Sequence, residues 1–360
     1  MTLQTPIAVP PAPLAAGWQA TRSRRVLQVG ASAAVLVALL VLVLPKVTGA
    51  SWQSAMGAMT LVTPGRLAAL TGLWLIGLWA YSHVLSASLP GLSKGQGFVL
   101  NMVGSGVSNL VPFGGAVGVG VTWAMARQYG FSNSSIGLFS AVTGVWNVLA
   151  RLALPAAGLG ALLVVGANVS GPVLLAAGTG AGLCAVIVLT VVAALVSKRA
   201  AGPLIMVVTR VCATLARLTH RPAPTELQAK LISQRESAVA LLKARRGGLV
   251  LGMVAYLILQ GVLMWACLAA VGSDLGWAEV TAGYACGRML TTIVITPGGT
   301  GFAETGTAAV LIALGGDPAV ALAGVLLFSL FTFAFEIPGA AMAYLWHLRA
   351  RSWRHPAGSR

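Results

Sequence analysis

The sequence predicts an all-α polytopic membrane protein, with about six full transmembrane helices and two re-entrant helical hairpins arranged as an inverted repeat. Three observations lead there. Hydrophobic residues make up 57% of the 360 residues and charged residues only 8%, against about 25% charged in an ordinary soluble domain. Apolar runs long enough to cross a bilayer recur along the chain. Two further apolar regions are broken by Pro and Gly at corresponding places. With a mean hydropathy of +0.87, the chain cannot cover a water-soluble surface, which excludes a cytosolic globular enzyme. The same apolar excess excludes disorder.

Taken in order, residues 1–25 read as a disordered, basic N-terminal tail, Pro/Ala-rich up to Arg22, Arg24 and Arg25. The apolar run Val26–Leu44 reads as a retained first span rather than a cleaved signal, because it is long enough to cross. Further spans read as 67–89, 135–164, 173–196, 248–271 and 319–345, each near or above the roughly 20 residues that cross the hydrocarbon core. Residues 97–126 are interrupted by Val111-Pro112-Phe113-Gly114-Gly115, and residues 280–314 by Pro297-Gly298-Gly299-Thr300-Gly301. The arms flanking each break are short for a crossing. Pro and Gly free backbone groups that a bilayer tolerates only against protein or a water-filled cavity. These regions read as re-entrant hairpins, with short paired crossings as the alternative. Residues 26–347 thus form one membrane domain, followed by a basic cytoplasmic tail, 348–360.

The net charge of +16 comes from 23 basic and 7 acidic residues. Nucleic-acid binding is discounted, because the basic residues alternate with apolar spans instead of lining one face. With both termini cytoplasmic, 19 of the 23 positives fall on the cytoplasmic side, ten of them in the linker 198–246. Outside segments hold only Lys46 and Arg66. The linker carries Leu204, Val207, Val208, Val211 and Leu215 at helical spacing with Arg210 and Arg217 among them. It reads either as an interfacial amphipathic helix on anionic lipid or as a solvated linker. Arg outnumbers Lys 18 to 5, as in a GC-rich bacterial genome, so the expected location is a bacterial inner membrane. Cys184, Cys212, Cys267 and Cys286 form no CxxC pair and read as inert thiols.

The two breaks lie 184 residues apart, measured between Gly114 and Gly298. Each is preceded by a span and followed by a long one, giving repeat halves of about 67–164 and 248–345. By the topology the first hairpin enters from the cytoplasm and the second from outside. Inverted repeats with broken helices are a transporter architecture.

Four charged residues fall within apolar segments: Arg151, Arg288, Glu304 and Glu336. Each costs about 2.5–3.5 kcal/mol at a helix centre on insertion scales, so they should face a polar interior. Glu304 follows a Gly-rich break in the first turn of a half-helix, where it either caps the helix or meets a ligand. Glu336 could pair with an arginine across the repeat axis, which would make Arg151 and Glu336 a structural ion pair. The functional alternative is a cavity whose two arginines receive an anionic group, since the guanidinium fork matches phosphate. Free backbone N–H groups of Gly114, Gly115, Gly298, Gly299 and Gly301 would complete the site. His83 either titrates in that cavity or packs. No nucleophile elbow, P-loop, HExxH or acidic metal pair is present, so neither enzymatic activity nor a cofactor is expected.

The stretch Pro297-Gly298-Gly299-Thr300-Gly301-Phe302-Ala303-Glu304 resembles the PGG-x-G-x-x-E signature of the lysylphosphatidylglycerol synthase transmembrane (flippase-like) family. The turn Gly315-Gly316-Asp317 and the last span are similar to it too, as is Arg127-Gln128-Tyr129-Gly130-Phe131-Ser132 after the first break. The resemblance covers about 67–345. The pattern departs where Ala116 to Gly120 supply no Glu, and where Trp146, Asn147 and Arg151 stand in place of Glu-Arg and Asp. The resemblance implies a lipid flippase-like domain without the soluble aminoacyltransferase domain. Its expected partner is a membrane phospholipid or a polyprenyl-phosphate lipid moved between leaflets. Two rivals are a membrane subunit that presents lipid-linked sugar to a separate glycosyltransferase or lipid-modifying enzyme, and an ion-coupled small-solute transporter using Glu304 or Glu336.

Overall fold

Short polar residues punctuate the apolar runs, and each starts a helix. The hydroxyls of Ser51, Thr63 and Ser132 accept from the backbone N–H three residues on, and the Asp317 carboxylate accepts from Ala319 and Val320. Pro64 and Pro318 follow two of these caps at the first helical position, where a missing N–H costs nothing. The computed structural model describes residues 30–31, 34–110, 114–167, 171–218, 227–292 and 296–352, and no strand occurs among them. The expected tail 1–25, the residues Val111-Pro112-Phe113 of the first break and the chain after Ser352 lie outside the described residues.

The helices are α1 (Ala34–Thr48), α2 (Trp52–Met59), α3 (Pro64–Ser88), α4 (Lys94–Leu110), α5 (Gly114–Gln128), α6 (Asn133–Val164) and α7 (Gly171–Val196). There follow α8 (Lys198–Leu218), α9 (Leu227–Ala270), α10 (Trp277–Leu290), α11 (Phe302–Ala313), α12 (Pro318–Ser329) and α13 (Glu336–Ser352). Five stretches are long and apolar enough to cross a membrane: α3, α6, α7 from Ala177, α9, and α12 with α13. Four of these match expected spans to within a few residues, and α9 matches the fifth, 248–271, at its C-terminal end only.

Three expectations change. The first span runs past its expected end at Leu44: α1 reaches Thr48, and α2 turns away from it by 87°, so the two form at most one crossing. The linker 198–246 is helical through most of its length. Residues Lys198–Leu218 form α8, and α9 begins at Leu227, far ahead of the expected 248. A kink at Arg245 (φ −127°, ψ 15°) marks where the linker part meets the apolar part. Arg235 donates to the carbonyls of Ala194 and Leu195, satisfying the end of α7, and Lys198 pairs with Glu236 at 2.9 Å. Val207 and Val211 on α8 are exposed. The last helix continues past the expected end of the last span at 345, to Ser352.

The arms around the breaks are 17, 15, 14 and 12 residues long. At 1.5 Å per residue these are about 18–26 Å, short of the roughly 30 Å core. In each pair the arms pack on each other, α4 on α5 and α10 on α11. Contacts between the halves reciprocate. Helices α3 and α9 pack together, while α6 packs on α10 and α13 packs on α4. A pair of halves related by a two-fold axis requires this pattern.

Lipid tails are as apolar as Leu, so burial alone does not hold such helices together; close van der Waals contact does. Small residues supply it. A Cβ added at Gly252 would come 3.0 Å from Val84, and one at Gly158 would come 3.0 Å from Ala282. A Cβ at Gly106 would collide with Ala340 and the Glu336 carbonyl. Two apolar clusters flank the centre, one around Phe331, Leu268 and Leu311, the other around Val84, Leu100 and Leu249.

Candidate functional site: an arginine-bearing cavity

Between the clusters lies a cavity of about 670 Å³ where both hairpins meet α3, α6, α9 and α13. Arg151, Arg288, Glu304, Glu336, Gly114, Gly115, Gly298 and Gly299 all line it. Four charged residues from four helices, spread over 186 positions of sequence, thus reach one space. Val119 on α5 and Gly144 on α6 line it and are exposed, so the cavity reaches the outside of the protein between these helices.

Arg151 stands on α6 one turn before Pro155, which stays within the helix. Proline has no N–H, so the Arg151 carbonyl loses its usual partner. Arg288 lies in the last turn of α10, where the helix dipole favours a cation. Both arginines have a buried Nε without a hydrogen-bond partner. The two guanidinium groups repel each other through space. Arg288 also feels the charge of Glu336, yet no ion pair within 4.0 Å joins them. Among the described residues the ion pair formed is Lys198–Glu236, far from the cavity. The expected pairing of Glu336 with an arginine is therefore not made. Its Oε2 instead accepts from Asn109 Nδ2 at 3.0 Å, an amide that also reaches the Phe333 carbonyl at 3.3 Å.

Glu304 differs. One oxygen accepts from the Gly301 N–H, and the other from the Ser329 hydroxyl at 2.6 Å. It caps α11 while forming part of the wall. The tip before it needs glycine, with φ of +61°, +75° and +91° at Gly298, Gly299 and Gly301. The N–H groups expected to be free are partly used. Gly299 donates to the Thr296 carbonyl and Gly301 to Glu304. Gly301 does not line the cavity; a Cβ there would meet Leu39 of α1 at 2.9 Å, so its task is close packing. His83 is also outside, its Nδ1 3.1 Å from the Trp79 carbonyl of its own helix.

Sequence reasoning missed the tyrosines. Tyr81, Tyr256 and Tyr284 line the cavity, three of the five in the chain. Tyr81 and Tyr256 pack with ring centroids 4.9 Å apart and planes tilted by 48°, and Asn147 donates to the Tyr81 hydroxyl at 2.6 Å. Their scarcity, with Asn109 and Asn147 inside apolar runs, was the available signal. Among the described residues no three His, Cys, Asp or Glu side chains gather where they could hold a metal ion. The cavity offers guanidinium donors and hydroxyls, a set suited to an anion with polar substituents.

Long apolar helices around an internal polar cavity define a polytopic α-helical membrane protein whose charges face inward. The chain belongs to the lysylphosphatidylglycerol synthase transmembrane-region family, whose model matches residues 28–338. That match takes in α1, which the motif resemblance did not reach. No curated protein matches the chain.

Proposed function

We propose that the protein moves an anionic phospholipid or a polyprenyl-phosphate-linked lipid between the leaflets of a bacterial inner membrane, without catalysing a reaction. Arg151 and Arg288 would hold the headgroup in the cavity while the acyl or prenyl chains pass between α5 and α6. One observation carries this reading: two arginines line the same cavity, each with a buried Nε that has no hydrogen-bond partner, and neither forms an ion pair among the described residues. A buried charge left unpaired is costly, and a phosphate would satisfy both. The cavity volume lies within the roughly 300–1,000 Å³ range of small-ligand sites. Reciprocal packing of the halves supports a rocking motion that opens the cavity to either side in turn.

The test is leaflet exchange of a labelled phosphatidylglycerol in proteoliposomes. Arg288→Ala and Arg151→Ala should each slow exchange by about 10-fold or more, since a charge-assisted hydrogen bond contributes about 1.5–3 kcal/mol. Wild-type rates in folded variants would overturn the assignment. Exchange that occurs only when a glycosyltransferase is added would favour a presenting subunit instead.

A further inference from the structure

We infer that Glu336 is a proton site coupled to the headgroup, so that the lipid binds together with one proton. The inference rests on the reading of the cavity as an anion site. The two buried carboxylates in it are not equivalent. Glu304 has donors on both oxygens, from the Gly301 N–H and Ser329, and stands at a helix N-terminus that favours the ionised form. Glu336, only 8% exposed, has a single donor, Asn109, on Oε2. Its Oε1 accepts no hydrogen bond among the described residues and is available to carry a proton.

The charged and titratable groups sharing the space are Arg288 and Tyr284 on α10, Arg151 on α6, Glu304 on α11, Tyr81 on α3 and Tyr256 on α9. Arg288 and Glu336 line the same space, so the charge of Arg288 helps to offset that of Glu336. A phosphate seated on Arg288 and Arg151 takes over that cation. The phosphate and the two carboxylates then share one low-dielectric space, which favours neutralising one of the three. Glu304 is fixed by its two donors, so the proton goes to Glu336: the carboxylate gains one H⁺ from solvent as the phosphate enters and returns it as the phosphate leaves. Proton uptake on binding means that acidification strengthens binding, by at most about 10-fold per pH unit, in the range where free Glu336 is ionised. Transport would then follow a proton gradient.

The probe is dihexanoyl phosphatidylglycerol, titrated calorimetrically into the detergent-solubilised protein in buffers of different ionisation enthalpy, between about pH 5.5 and 8.5. The heats give the number of protons taken up. The wild-type protein should take up close to one proton per lipid within that range, and Glu336→Gln should bind with none and with a flat pH dependence. Asn109→Leu removes the donor that favours the carboxylate, so its uptake should shift to higher pH. Binding without uptake in the wild-type protein would overturn the inference, as would uptake unchanged in Glu336→Gln. A wild-type protein that does not bind the probe would remove the anion site itself, a failure distinct from binding without protons.

Discussion

Glu304 has both carboxylate oxygens occupied by donors from its own hairpin and from α12. Its removal would leave the Gly301 N–H and the Ser329 hydroxyl without an acceptor in a buried setting. Glu304→Ala should therefore cost about 1–3 kcal/mol and lower the melting midpoint in detergent, with Ser329→Ala costing less. Melting at the wild-type temperature, with leaflet exchange abolished, would instead make Glu304 a ligand group. The cap was legible in the sequence, because a Glu three residues after a Gly-rich break is a helix-start signal. The second oxygen's partner was not, since Ser329 lies 25 residues away and only packing brings it there. Arg151 and Arg288 were legible as expensive intramembrane charges. Their lack of a partner was not, because the spacing of Arg151 and Glu336 in the repeat made a pair plausible and only geometry excludes it.

Helices were legible because apolar runs, caps and prolines are local properties. The expected bounds 135–164 and 173–196 differ from α6 and α7 by two residues at one end. The 87° turn into α2, the kink at Arg245 and the π-helical turn at Leu330–Ala334 were not legible. The first lies at Gly49, left-handed at φ +68° just ahead of the Ser51 cap, and none of the three is set by the apolar pattern alone. The same holds for glycines. Many are scattered through the helices, but only some stand where another backbone passes. Gly106→Leu in α4 and Gly158→Leu in α6 would force the halves apart and should cost about 1–3 kcal/mol or more, seen as a lower melting midpoint. Gly182→Leu in α7, where an added Cβ meets nothing within 4 Å, should melt as the wild type does. Equal effects at all three sites would refute glycine packing as the bond between the halves.

For the whole molecule, the charge asymmetry predicts orientation. In a background without the four cysteines, Asp274→Cys should react with a membrane-impermeant maleimide in intact cells, and Ser134→Cys only after lysis. The opposite pattern would invert the topology. The sequence by itself determined that the chain lives in a membrane, where its helices fall, which regions are broken and which charges are out of place. Those are matters of composition and spacing, fixed by the cost of placing charge or unpaired backbone in hydrocarbon. The tertiary structure alone decided that Arg151, Arg288, Glu304 and Glu336 share one cavity with three tyrosines, that Glu304 is held on both oxygens and Glu336 on one, and that His83 and Gly301 stand apart. Which face of a helix meets which neighbour depends on side-chain interlock between segments distant in sequence, and no local pattern encodes it.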